Sequence, residues 1–494
     1  MMNDNGQSYK AIRPAKSANK PVPEAGAERM EERDLAKGNA IERPINRAQK
    51  RRMVKEAIKR IGEAGKRERK GKLTTLMHHV YRVENLREAY FWLKRNAAAG
   101  IDSITWQQYG GRLEENLENL SERLKRGTYR APAVLRVYVP KADGRLRGLG
   151  IPALEDKIVQ SQVAQILTAI WEPMFKGFSY GYRPGRSVHD ALDALAVGIE
   201  QRSINWVFEA DIMGFFDHLS HDWLVRMVEH RVGDKRITSL IRQWLKAGVM
   251  EEGKWRSSEE GTPQGGIISP VLANIYLHYA LDEWTQQWRK QSARGPMIVV
   301  RYADDFVVGF ARPDDAERFQ LELRERMGKF TLKLHEGKTR LIEFGRYAAA
   351  NRKGRKESKP ETFNFLGFTH ICGKTREGKF TVLRKTMRKR MQAKLKELKQ
   401  EFRRRMHEPL KEQGAWVSAV VRGYFQHYGI PRNIEALESF KYHVKYLWRR
   451  ALSRRSQKAE ITVEKFDRLT DHWIPKPRIC HPYPSQRLCL RFAL

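Results

Sequence analysis

Three cysteines in 494 residues are too few and too scattered to staple a chain together. Cys372 stands alone, and Cys480 and Cys489 are separated by nine positions, a spacing that makes neither a disulfide framework nor the paired ligands of a zinc site. No structural zinc is expected, and a reducing compartment is implied. Long apolar runs are missing as well: nothing approaches the ~20 residues of a membrane span. The N-terminus lacks a signal-peptide apolar core, and Asp4 and the acids from Glu24 onward count against an organellar transit peptide. The expected location is the cytosol, away from membranes. Acids are short too, with 58 Asp and Glu against 94 Lys and Arg, a net charge of +36. Such a surplus repels itself within a compact body, and a phosphate polyanion that releases its counterions on binding is the simplest compensation. Lys and Arg run the whole length rather than one amphipathic or lipidated segment, which points to nucleic acid instead of a membrane surface.

What is present is unevenly distributed. Residues 1–72 hold 20 Lys or Arg and few large apolar side chains, so the segment is expected to stay mostly disordered until bound, with INRAQKRRMVKEAIKRI a candidate basic helix. From Leu73 to about Pro132 apolar residues recur every three or four positions, as in VENLREAYFWLKRN, predicting a helical lead-in at 73–132. Short β-like runs then alternate with helices: VLRVYVP, LEDKIVQSQVAQILTAIW, NWVFEADI, a long helix capped by Ser269 before Pro270, IVVRY and FVVGF. That is a mixed α/β core. Beyond about residue 378 no further strand is predicted. Met387, Met391, Leu395, Leu398, Phe402 and Met406 form one helical stripe, and residues 379–405 carry twelve Lys or Arg against two Glu, a composition suited to a nucleic-acid cradle.

The stretch MIVVRYADDFVVGF places Asp304 and Asp305 between two apolar runs, predicting a hairpin whose tight turn presents carboxylates at one end of a sheet. In NWVFEADIMGFFDHLSHD, alternation puts Phe208, Ala210 and Ile212 on one face and Val207, Glu209 and Asp211 on the other, so Asp211 ends a strand that is otherwise core. Clustered carboxylates repel one another unless a cation joins them, and hard oxygen ligands favour Mg²⁺. Two such ions can serve phosphoryl transfer.

In this order PKADGRLRGLGIP, the strand ending in Asp211, GTPQGGIISPVLANIYL, YADDF, LHEGKTRLIEF and FNFLGF resemble the reverse transcriptases encoded by bacterial group II introns, over about residues 73–450. The resemblance implies a right-hand polymerase of α/β (α+β) class: fingers and palm with an antiparallel palm sheet at 133–372, an all-helical thumb or maturase X domain at 373–453, and a basic DNA-binding region at 454–494. It implies that Asp211, Asp304 and Asp305, with the Ile212 carbonyl, hold two Mg²⁺ ions. Lys141 and Arg147 look like the clamp on the incoming triphosphate, with Arg145 a weaker candidate. Phe216 resembles the gate against a ribose 2′-hydroxyl, beside Phe215, with one of the two rings facing the core. Gln264 is similar to a substrate-proximal glutamine and Lys338 to a lysine near the metals, while Phe365, Leu366 and Gly367 look like the primer grip. Tyr424, Phe425 and Trp448 fall in the thumb, and packing is expected for at least two of them.

The implied activity is RNA-directed DNA polymerisation in a bacterial cytoplasm, with group II intron RNA, a DNA primer or target and dNTPs as partners and a maturase role in splicing. Only 14 residues follow Cys480, without the His and Cys array of the HNH nuclease that many relatives carry, so self-nicking of target DNA is not expected. Met213 stands where the family often has Lys. Two other readings are a domesticated reverse transcriptase in bacterial defence and an RNA-binding splicing cofactor with a vestigial polymerase site; the complete acid triad speaks against the second.

Overall fold

The protein is described by a computed structural model covering residues 44–68, 71–140, 146–251, 254–256, 260–262, 265–455 and 461–488. Lys141, Arg145, Gln264 and Cys489 lie outside the described residues.

The alternating apolar runs become eleven strands among the described residues: β1 (Val134–Pro140), β2 (Leu146–Ile151), β3 (Trp206–Ala210), β4 (Val249–Glu251), β5 (Lys254–Arg256), β6 (Met297–Tyr302), β7 (Asp305–Phe310), β8 (Arg340–Glu343), β9 (Phe363–Phe365), β10 (Phe368–Lys374) and β11 (Phe380–Thr386). They form three sheets, ordered β2-β1-β4-β5, β6-β7-β3-β8 and β11-β10-β9. The first is the fingers sheet, where only the β1–β4 pair is parallel. The second, the palm sheet, is antiparallel throughout, as expected.

Period-two alternation explains why the palm sheet is covered on both faces. Phe208, Phe306, Val308 and Phe310 face one apolar core with helix Pro313–Gly328, which contributes Phe319, Leu323 and Met327. Val207, Val307, Ile298 and Ile342 face a second core with helix Val188–Gln201 and with Phe363, Phe365 and Phe368. A third core holds together helices Arg388–Arg404, Leu410–Tyr428, Ile434–Leu452 and Val463–Trp473. Tyr424, Phe425 and Trp448 all pack there.

Three expectations need correction. The segment 1–72 is not uniformly without structure: Pro44–Arg67 is a helix whose Val54, Ala57 and Ile61, spaced three and four apart, are buried. Gly62 and Gly65 face helix Leu154–Trp171 so closely that an added Cβ would stand 3.3 Å from the Ala169 carbonyl oxygen and 3.4 Å from the Ile170 Cα. Strands also do not end at 378. β11 pairs with β10 along its whole length, so the boundary expected at 372/373 falls inside a hairpin and the helical region starts at Arg388. Finally, Ile268 rather than Ser269 occupies the helix N-cap and makes no side-chain cap bond; the helix then widens into a π turn at His278–Asp282.

The C-terminal segment returns to the palm. Cys480 N–H donates to the Gly429 carbonyl at 2.6 Å, and Arg487 pairs with Asp190 at 2.6 Å and Asp193 at 3.0 Å on helix Val188–Gln201. Asp193 is also bonded by Arg384 of β11 at 2.6 Å, so one buried carboxylate joins palm, β11 and the chain's last described segment. No described helix is long and apolar enough to cross a membrane.

Candidate active site

The palm strands bring the predicted acids to one end of the sheet. β3 and β7 run antiparallel with Ala210 opposite Phe306, and one more step of that register sets Asp211 opposite Asp305. β6 and β7 pair up to Tyr302 and Asp305, leaving Ala303 and Asp304 as a two-residue turn. Only the first of these has positive φ (Ala303, +58°), the sign pattern of a type II′ hairpin turn, which usually carries Gly there. A non-glycine residue held in that region marks a site that its surroundings over-determine.

Asp211 is fixed from its other side by the segment after residue 332. Its carbonyl accepts the His335 N–H at 2.8 Å, and the Met213 N–H donates to Lys333 at 2.9 Å. That pairing delivers Lys338, whose ammonium is hydrogen-bonded to the Asp211 carboxylate. Ile212 is buried, anchoring the strand end in the core.

These residues meet in a cleft of about 500 Å³, lined by Arg147, Tyr182, Asp211, Phe216, Asp304 and Lys338 among others. The volume falls in the range of small-ligand sites. Asp305 is not among the lining residues, yet it feels the same charges. Although Asp305 is exposed at the start of β7, reduced hydration and then repulsion from Asp304 and Asp211 push its carboxyl up to about 7, against the pull of Lys338 and Arg390. Asp304 is also raised, first by burial and then by Asp211, with Arg147 opposing.

The two phenylalanines differ in burial, although both line the cleft. Phe215 is buried, against Tyr276, and Phe216 is only partly buried. The GTPQGG loop holds Phe216 in place, because Thr262 N–H donates to the Phe216 carbonyl at 2.8 Å and Gly261, with φ +82°, lies too close to that carbonyl for any Cβ. Arg147 stands across the β1–β2 hairpin from Val139. Leu366 and Gly367, both with positive φ, form the β9–β10 turn, whereas Phe365 is core.

Three features escaped the sequence reading. Tyr182, exposed in the cleft at φ +57°, had no motif to announce it. Gly181 presses on the acid turn, where an added Cβ would come within 2.3 Å of the Ala303 nitrogen. Arg301, fully buried beneath the turn, did leave a signal: one charged residue inside the apolar run MIVVRY.

Residues 139–370 match the family described as reverse transcriptase (RNA-dependent DNA polymerase). Those residues belong to the reverse transcriptase family. The fingers and palm sheets and all three acids fall inside or at the edge of that domain, consistent with a right-hand polymerase. Among curated proteins, the chain is 37% identical over 240 residues to Protein YkfC of Escherichia coli, covering 42% of this chain and 62% of that one. It is 37% identical over 222 residues to the group II intron-encoded protein LtrA of Lactococcus lactis, covering 45% of this chain and 37% of LtrA. Nuclear intron maturase 4 of Arabidopsis thaliana is 27% identical over 210 residues, 42% of this chain and 25% of that protein. The chain thus spans less than two thirds of each of these relatives.

Reverse transcriptases as a family work with divalent metal. Among the described residues no three His, Cys, Asp or Glu side chains stand as a ready-made cage for an ion. The donor set nevertheless fits Mg²⁺, which sits on one or two carboxylates and completes its shell with water and substrate phosphates. Lost hydration first and then repulsion among the acids raise the Asp304 and Asp305 carboxyls, and a cation would relieve the repulsive part.

Proposed function

We propose that this protein is an RNA-directed DNA polymerase and intron maturase that binds a group II intron RNA, assists its splicing and copies it during retromobility. The supporting observation is the juxtaposition of Asp211 and Asp305 at adjacent strand ends, with Asp304 in the turn between. Asp211, the Ile212 carbonyl, Asp304 and Asp305 would hold two Mg²⁺ ions. When bound, the ions lower the pKa of the attacking hydroxyl and stabilise the charge on the leaving oxygen.

The chain's own residues supply the rest. A primer 3′-hydroxyl attacks the α-phosphorus of a dNTP, forming one P–O bond as the bond to pyrophosphate breaks. Arg147 and Lys141 gather the triphosphate by charge-assisted hydrogen bonds. Phe216 crowds the sugar where a 2′-hydroxyl would project and Lys338 offsets the carboxylates, while a substrate role for Gln264 rests on the resemblance alone. The basic surface of helix Arg388–Arg404 tracks the nucleic-acid backbone.

The test is Asp304→Ala. Primer extension on an RNA template should vanish while RNA affinity is kept. Extension that survives would remove the catalytic assignment, and a wild-type protein that splices but never extends would favour the RNA-binding cofactor.

A further inference from the structure

Arg301 lies on β6 between Val300 and Tyr302 and exposes no surface. Its guanidinium forks onto both oxygens of Asp282, from Nε at 2.7 Å and Nη2 at 2.6 Å, and Asp282 is likewise fully buried. The remaining arm, Nη1, donates to the Asn274 side-chain oxygen at 3.1 Å and to the Ala303 carbonyl at 2.9 Å. Asn274 passes the connection on, donating its amide to the Gly181 carbonyl at 2.8 Å. The Arg301 backbone is engaged as well: its N–H donates to Phe178 at 2.9 Å and its carbonyl accepts from Tyr180 at 2.8 Å.

Stability alone does not call for this arrangement. Burying two ions is costly, and a well-packed apolar pair of the same volume is often at least as stable. The surrounding strand is otherwise apolar, so apolar residues at 301 and 282 would suit the core. What they could not do is hold one chosen carbonyl. The carbonyl held is that of Ala303, the residue at φ +58° in the turn that carries Asp304 and leads into Asp305. A planar guanidinium is suited to that task because its donors point in fixed directions, which a lysine lacks. The acceptor Asp282 is delivered by the π turn, a distortion often found at functional sites.

We propose that Arg301 is a positioning residue for the acidic turn: braced by Asp282 and Asn274, it holds the Ala303 peptide in its strained conformation and so aims Asp304 and Asp305. The inference rests on the polymerase reading. It assigns to Arg301 no contact with substrate.

Two sets of variants test it. Arg301→Met alone leaves Asp282 buried and unpaired, and loss of folding is expected; Arg301→Met with Asp282→Leu removes both charges. This double variant should keep the wild-type affinity for a primer–template duplex, yet lose about 100-fold in kcat, the scale of a small misplacement. Mn²⁺ affinity of the free protein, read by titration calorimetry, should fall about tenfold, as for other residues that orient metal ligands. KM for dNTP should stay within about twofold. A folded double variant with wild-type kcat and Mn²⁺ affinity overturns the proposal. If the double variant does not fold, Arg301→Lys decides, alone and with Ala303→Gly. Glycine adopts positive φ without strain, so Ala303→Gly should recover about tenfold of the kcat lost in Arg301→Lys; no recovery overturns the role. Failure of the polymerase reading is separately visible, as a wild-type protein that extends no primer, and the Mn²⁺ titration then still judges the clamp.

Discussion

The Lys338 ammonium lies on the Asp211 carboxylate, closing a contact between residues 127 positions apart. In the free protein the lysine thus partly supplies the positive charge that a metal would bring. Divalent ions must compete with it, and Lys338→Met should bind Mn²⁺ about tenfold more tightly in calorimetry, roughly 1.4 kcal/mol. Primer extension by the same variant should slow, because the charge offset is lost. Unchanged metal affinity would separate Lys338 from the metal site.

The Asp305 carboxyl gives a pH signature. Its value rises from the ordinary 3.8 to about 7 on folding, chiefly through lost hydration and then through Asp304 and Asp211. Between these two values the folded chain keeps a proton that the unfolded chain has released, so stability falls as pH rises through that window. In chelator, the melting temperature should drop from pH 5 to pH 8. Mg²⁺ should restore it most at the alkaline end. Asp305→Asn should flatten the slope; an equally steep decline in that variant would show that the charge strain lies elsewhere.

Phe215 and Phe216 are neighbours with opposite expected effects. Phe215→Ala empties a core site and should cost about 3–5 kcal/mol in chemical denaturation. Phe216→Ala should leave stability much closer to wild type and admit ribonucleotides, raising their kcat/KM relative to deoxynucleotides. Reversed phenotypes would exchange the two assignments.

Asp193 has two arginine partners of unequal importance. Arg384 and Asp193 are both buried, whereas Arg487 stands at the margin. Removing Arg384 should cost about 3–5 kcal/mol, as for a broken buried pair, and Arg487→Ala markedly less. Equal losses in urea titrations would contradict this ranking.

Much of the site could be read from local pattern. Alternation around Asp211 and the paired runs flanking Ala303-Asp304 fixed faces and strand ends, because period two is strict in a sheet whose faces are both buried. The helix Pro44–Arg67 was read too pessimistically: its charge density masks the Val54, Ala57 and Ile61 stripe, which is stable only once helix Leu154–Trp171 covers it. β11 was missed because FTVLRKT carries its basic residues next to a basic helix, and pairing with β10 outweighed composition. Asp282, Asn274 and Gly181 had no local signature, since their meaning lies in a guanidinium that arrives from a different strand. Lys141 and Gln264 fall outside the described residues, and their roles rest on resemblance.

The link from Asp190 to Arg487 spans 297 positions. During synthesis, a palm helix completed early must wait for most of the remaining chain to leave the ribosome before its final partner arrives. Contacts that distant slow folding, so the tie between helix Val188–Gln201 and the last described segment should be among the latest to close, well after the palm sheet itself has formed.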